Sequence, residues 1–261
     1  MIGSMSGKVG NVVYYVSNGQ QLMRVYVPSP RNPQSKGQTD QRLKMVLAGR
    51  LSKIVPPEAL EGLASGKSER RRIFNRNVID MATVTGGQAG ISAGDILFSD
   101  GSLPLSTGHT VTAQTGSGAL NRRLQIRSTL GATDVLPEGY GERYVALLLN
   151  SNTSQFDYVV TGLLSVPAEA GQSADTNVLV RVGDPAATYV GFVYVYPFVA
   201  VGDGDGWSGR FSYLGTEDGV VIVDTVTGET VARPQLFGQS LLIGTVQLPP
   251  PSQSAKVKKD Q

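Results

Sequence analysis

Along this chain the spacing of hydrophobic residues changes its period once, near residue 86. Residues 12–27, VVYYVSNGQQLMRVYV, hold two β-branched and aromatic runs on either side of Asn18-Gly19. Asn-Gly supplies the positive φ angles of a tight type I′ turn, so this pattern predicts a β-hairpin. PSPRNP (28–33) follows, and its three prolines predict an extended connector without backbone donors at those positions. From about Thr39 to Val55 the apolar residues Leu43, Val46, Leu47, Leu51 and Ile54 recur at steps of three and four. Arg42, Lys44, Arg50 and Lys53 occupy much of the remaining surface and Pro56-Pro57 ends the run, which predicts an amphipathic helix. A second helix is expected over roughly 67–82, with Ile73, Phe74, Val78 and Met81 beside Arg70, Arg71, Arg72 and Arg76.

From GGQAG (86–90) onward, short apolar runs are separated by Gly, Asp, Asn and Ser. They predict strands near 95–98, 109–113, 123–129, 143–150, 156–164, 177–182, 189–199, 208–213, 219–223 and 241–247, with a last hairpin turning at Thr227-Gly228. LNRRLQIRST (120–129) alternates like a half-buried strand, whereas RYVALLLN and TYVGFVYVYPFVAV are continuously apolar, as in a sandwich core. The fold class expected is mainly β: an N-terminal hairpin and two amphipathic helices, then a β-sandwich of immunoglobulin-like or jelly-roll type. The expected divisions are a basic module over 1–85, a sandwich over 86–248 and a polar, flexible tail over 249–261.

Composition narrows the chemistry. The 261 residues include no cysteine and one histidine, so disulfides and thiolate chemistry are excluded and any His-based site must use His109. No apolar run reaches the roughly 20 residues of a membrane span. The start, MIGSMSGKVGN, has no basic end followed by a long apolar stretch, so a secretory signal is not expected. The net charge of +2 hides an asymmetry: residues 1–80 carry 13 basic against 5 acidic side chains, and residues 81–252 carry 7 against 15. A basic arm on an acidic body suits either nucleic acid or the body of another copy as partner.

Motifs for catalysis and cofactors are weak. GSMSGKV (3–9) and GLASGKS (62–68) resemble phosphate loops, but both are one residue short in the gap. GDGDG (202–206) places Asp203 and Asp205 as in calcium loops without the further carboxylates such a loop needs, so it reads as an inter-strand loop whose tip, with Trp207, offers a contact surface. His109, at the start of a strand, reads as structural. The acidic residues Asp95, Asp100, Glu138, Glu142 and Asp184 sit next to Gly in expected turns, with no paired carboxylates for acid–base work. No enzyme, cofactor or metal is expected. Arg42, Lys44, Arg50, Lys53, Arg70, Arg71 and Arg72 are candidate phosphate contacts, dispersed around their helices rather than striped.

Residues 6–51 carry a resemblance. Ser6, Gly7, Lys8 and Gly10, then the hairpin with Arg24, then Asn32, Pro33, Ser35, Gln38 and Arg42 form an Ser-Gly-Lys-x-Gly … Asn-Pro-x-Ser-x-x-Gln-x-x-x-Arg pattern. It resembles a module of uncharacterised Bacteroidetes proteins and of virion-associated phage proteins. The GDILFSDG, YVALLLN and TYVGFVYVYPF segments look like the β-sandwich that follows the module there. The resemblance implies no known catalysis.

The reading expected from these observations is a non-enzymatic structural protein of a bacteriophage particle, a capsid or tail component. It would be found in the virion and, before assembly, in the host cytoplasm. Its partners would be itself or other virion proteins, with nucleic acid possible and no membrane. The assembly residues would be Val12, Val13, Tyr14, Tyr15, Val25, Tyr26 and Val27 of the hairpin, open to β-augmentation, and Leu43, Val46, Leu47 and Leu51 of the first helix. A nucleic-acid-binding protein using the basic helices, and a surface- or glycan-binding sandwich using the loop of Asp203, Asp205 and Trp207, are the rival readings.

Overall fold

The computed structural model of the chain describes residues 6–17, 20–28, 34–106, 108–114, 120–132, 134, 136–202, 211–216 and 219–250. The chain divides into two compact units, Met1–Thr39 and Asp40–Gln261.

The first unit is an antiparallel meander of β1 (Gly7–Val9), β2 (Val12–Ser17) and β3 (Gln20–Val25). Gly10 turns the chain between β1 and β2 at φ +59°, a left-handed conformation that glycine adopts without a Cβ penalty. Ser17 pairs with Gln20, so the hairpin has the two-residue connection expected of it. Asn18-Gly19 themselves, the connector beyond Pro28, and the tail beyond residue 250 lie outside the described residues.

α1 (Lys36–Ile54) begins in the last residues of the first unit and continues into the second, where a 3-10 turn over Pro57–Leu60 joins it to α2 (Lys67–Met81). A two-stranded hairpin follows, β4 (Thr83–Thr85) and β5 (Gln88–Gly90), then a 3-10 turn over Ala93–Asp95. The remaining strands are β6 (Gly108–Gln114), β7 (Asn121–Thr129), β8 (Tyr140–Asn150), β9 (Gln155–Leu164), β10 (Ser173–Arg181), β11 (Tyr189–Val199), β12 (Val201–Gly202), β13 (Phe211–Thr216), β14 (Gly219–Asp224) and β15 (Leu241–Leu248). They form a sheet ordered β10-β7-β6 and a sheet ordered β15-β11-β8-β9, while β12-β13-β14 form a small sheet of their own.

The two larger sheets enclose one core. Leu124 and Ile126 of β7 and Val178 and Val180 of β10 meet Ala146 and Leu148 of β8, Val193 and Val195 of β11, and Leu248 of β15. β6, β7, β8, β10, β11 and β15 take the places of strands A, B, C, E, F and G of an immunoglobulin-like sandwich, with β9 added beside β8. Of the two sandwich types expected, the strand order is thus the immunoglobulin-like one, and the β12–β14 sheet is inserted between β11 and β15.

The central strands β8 and β11 are buried on both faces. Val145, Leu147, Tyr194 and Tyr196 alternate with the residues above and pack against Leu51, Val55, Leu60, Phe74 and Val78 of the helical segments. This explains the continuously apolar RYVALLLN and TYVGFVYVYPFV runs: a sandwich strand has one dry face, and these have two. The tyrosines tolerate burial because their hydroxyls find carbonyls on the covering layer. Tyr194 Oη donates to Ala93 O at 2.7 Å and Tyr196 Oη to Glu58 O at 3.3 Å. Phe98 links the layers, its ring 5.8 Å from Phe74 and 4.8 Å from Tyr194. The helices therefore share a core with the sheets, although the change of period near residue 86 suggested grouping them with the hairpin.

Three local expectations are corrected. The strand expected at 95–98 is the 3-10 turn and an extended segment, with Leu97 N–H donating to Asn77 Oδ1 at 3.0 Å and Phe98 N–H to Ser240 Oγ at 3.0 Å. The hairpin expected around Thr227-Gly228 has no second strand: Asp224 Oδ1 accepts from the N–H groups of Val226 and Thr227, and the return is a single bridge between Val223 and Thr230. The first helix also begins three residues earlier than its apolar spacing indicates, at Lys36.

If the helices are the second cover of the central sheet, Phe74→Ala, at a fully buried position in α2, destabilises the whole second unit by about 3–5 kcal/mol. Chemical denaturation followed by circular dichroism and by tyrosine fluorescence checks this, with both signals moving together.

Candidate functional site

The N-terminal meander has two unlike faces. Pairing register puts Val9, Val12 and Val25 side by side, Tyr14 opposite Met23, and Val16 on the same face. This face is apolar and uncovered: Val9 is 60% exposed, and Met23 and Val25 are each 72% exposed. The opposite face carries Lys8, Val13 and Arg24 in one row and Tyr15 with Leu22 in the next. Lys8 Nζ lies 3.5 Å from the centre of the Tyr26 ring, and the Arg24 guanidinium lies 5.9 Å from that of Tyr15. No acidic residue occurs before Asp40. The structure thus brings together the hairpin residues expected to act in assembly but divides them between two faces, Val12, Tyr14 and Val25 on one, Val13 and Tyr15 on the other. Tyr26 and Val27 follow β3 and are exposed.

The helix residues expected to act with them divide as well. Leu51 is part of the core, 1% exposed, and is not a surface residue. Leu43, Val46 and Leu47, one turn and two turns earlier, line an open groove of about 760 Å³ together with Arg50 and Lys53. Arg42 is exposed and Lys44 is half-buried.

Two of the candidate phosphate ligands on α2 have structural partners. Arg70 Nε donates to Ala64 O at 2.6 Å and its Nη2 to Ser65 O at 3.0 Å, holding the loop before the helix. Arg71 Nη1 donates to Ser52 O at 2.7 Å and ties α2 to the end of α1. Arg72 is exposed and pairs with Glu69 at 3.2 Å, a surface contact of small energetic weight. These bonds direct the arginines to different places, so α2 presents no continuous cationic stripe of Arg70, Arg71 and Arg72.

Sequence reasoning missed a buried polar cluster around Glu142. This carboxylate, its side chain fully buried, meets His109 Nε2 at 2.8 Å through Oε2. Its Oε1 accepts from Ser106 Oγ at 2.6 Å and from Tyr140 Oη at 2.7 Å. Tyr140 Oη in turn accepts the Ser106 N–H at 3.1 Å. Glu142 looked like a turn residue because Gly141 precedes it, but it lies in β8, facing the sandwich core with Tyr144 and Ala146. Gly141 is there for space: a Cβ would lie 2.8 Å from the Phe198 ring. Serine, histidine and carboxylate together suggest a hydrolytic triad, and the geometry rejects it. The same Nε2 faces both Glu142 and Ser106 Oγ, the latter at 3.4 Å, so the imidazole does not relay between them. Ser106 is also buried. The cluster is a clamp that joins the segment leading into β6 to the start of β8.

Burial alone would push the Glu142 carboxyl up. The hydrogen bonds from His109, Ser106 and Tyr140 and the charge of His109 outweigh it, and the carboxyl is held below its ordinary value of 4.5. Burial, and then the Glu142 charge, push the Tyr140 phenol up, so it stays a neutral donor. Among the described residues no group of three or more His, Cys, Asp or Glu is placed to hold a metal, and no helix is long and apolar enough to cross a membrane. Asp203, Asp205 and Trp207 lie outside the described residues.

A carboxyl whose proton affinity is lower folded than unfolded stabilises the fold above its unfolded pKa, and that contribution is lost as pH falls through the folded value. Glu142→Ala is expected to cost on the order of 3 kcal/mol at neutral pH, by leaving the other members of the cluster buried without their acceptor. The cost is expected to shrink on acidification below about 4.5. Urea denaturation of both proteins across this range checks the sign.

No family model matches the chain, and no curated protein matches it.

Proposed function

We propose that this chain is a non-enzymatic structural subunit of a bacteriophage particle, assembling with other copies of itself through its N-terminal sheet. The particle type rests on the resemblance of residues 6–51. The assembly role rests on one observation, the uncovered apolar face of Val9, Val12, Tyr14, Met23 and Val25. A three-stranded sheet of short strands with a bare face gains little from folding alone. Covering that face removes apolar surface from water, the main driving force of association. The cations lie on the opposite face, so two meanders can pack apolar face to apolar face without opposing their charges.

A second reading is favoured by that opposite face. Lys8 and Arg24 beside Tyr26 and Tyr15, with no acidic residue in 1–39, combine cations and aromatic rings as single-stranded nucleic-acid sites do.

The two readings respond oppositely to salt. At about 0.5 M salt exposed charges are strongly screened while apolar burial persists. Light scattering on a sizing column under that condition is expected to show a discrete oligomer for the full chain. Met23→Asp with Val25→Asp, or removal of residues 1–34, is expected to reduce it to monomer. A full-length monomer together with oligonucleotide binding that falls steeply with salt would favour the second reading.

A further inference from the structure

A groove of about 760 Å³ lies beside α1, lined by residues of the second unit alone. Leu43, Val46, Leu47, Leu51 and Ile54 form one wall, a single helical face at steps of three and four. Phe156 and Phe192, with rings 6.0 Å apart and edge to face, also line it. Thr153, Ser154 and Gln155 contribute from the β8–β9 turn, which Ser154 makes at φ +53°, a left-handed conformation rare for a side-chain-bearing residue.

Another part of the lining is the informative one. It includes five consecutive residues, 87 to 91, running through β5. A strand that presents a face to a groove contributes alternate residues; one that contributes every residue is seen along its edge. β5 pairs with β4 alone, and residues 87–91 make no other described backbone hydrogen bond. The small residues Gly87, Ala89 and Gly90 leave that edge open to a second backbone. From Leu43 to Ile54 the helix wall spans about 16 Å, the length of about five residues of extended chain.

Charge selects the occupant. Arg50 and Lys53 line the groove and no acidic side chain does. The N-terminal unit of another copy is a poor fit, because residues 1–39 carry Lys8, Arg24, Arg31 and Lys36 and no carboxylate. We propose that the groove binds an extended segment of a different protein, apolar with acidic side chains, added to the β4–β5 hairpin as a third strand. Its apolar side chains would lie against Val46, Leu47 and Phe156, and its carboxylates would meet Arg50 and Lys53. Backbone pairing supplies affinity in such β-augmented complexes, and the side-chain contacts supply selectivity.

The test is fluorescence anisotropy on the full chain with a labelled peptide, Val-Ser-Ile-Ser-Val-Glu-Glu. Three further peptides are compared: one with Lys in place of both Glu, one N-methylated at alternate amides, and one copying residues 6–28 of this chain. Saturable binding of the acidic peptide is expected. A loss of tenfold or more is expected for the Lys peptide, for the N-methylated peptide, and for the acidic peptide on Arg50→Glu with Lys53→Glu. Arg72→Glu, on exposed α2, is expected to leave binding unchanged. Absence of binding, equal binding of the Lys or N-methylated peptide, or preferred binding of the 6–28 peptide would each overturn the proposal, the last in favour of a second copy. The peptide charge swap needs no variant, so the result stands if the double variant fails to fold. The N-terminal sheet is unchanged throughout, so failure here leaves the assembly reading intact.

Discussion

The architecture depends on one constraint: β8 and β11 are apolar on both faces and therefore need two covers. One is the β10-β7-β6 sheet, which completes an immunoglobulin-like sandwich. The other is the helical layer, through Leu51, Val55, Phe74 and Val78. A sheet with polar outer residues would have left the helices without a place to dock. Side chains with a polar end can be used on the covered face only where the cover offers acceptors, as Ala93 O and Glu58 O do for Tyr194 and Tyr196. The buried Glu142 follows the same logic within the sandwich: it is tolerated because Ser106, His109 and Tyr140 surround it with donors.

The same physical rule separates the two compact units. The second buries both faces of its central strands β8 and β11 within itself. Among the described residues, the first has an apolar face with Val9, Met23 and Val25 exposed and cations engaged on the other face, and its short strands pair only with one another. A segment of this kind gains stability by being completed from outside, which is the basis for reading it as an assembly element. The groove on α1 differs in kind: its helix is already fixed to the core by Ala48, Leu51 and Val55, so its exposed walls are a preformed surface.

The alternation and spacing of apolar residues made most elements legible. Both helices, the N-terminal hairpin and the seven sandwich strands lie within about four residues of where their periods place them, and β11 matches its expected limits, 189–199. Elements of two or three residues, such as β1, β4, β5 and β12, are too short to establish a period. Continuous apolar runs in β8 and β11 indicated burial but not what covers the second face, since that depends on where the helices dock. For the same reason Leu43, Val46, Leu47 and Leu51 read as one stripe, although Leu51 is a buried core residue and the others keep more exposed surface along the groove that all four line. The Glu142 clamp left little local signal, because two of its members, Ser106 and His109, are more than 30 positions away in sequence. Its one cue was the Tyr140-Gly-Glu142 alternation leading into a strand.

Hydrogen exchange on the full chain, at dilute and at high protein concentration, tests most directly the contrast between a self-sufficient body and a sheet that needs a partner. Amides of residues 7–25 are expected to exchange quickly when dilute and to gain protection on concentration, while those of β8 and β11 stay equally protected in both. Equal protection of residues 7–25 at the two concentrations would contradict the account.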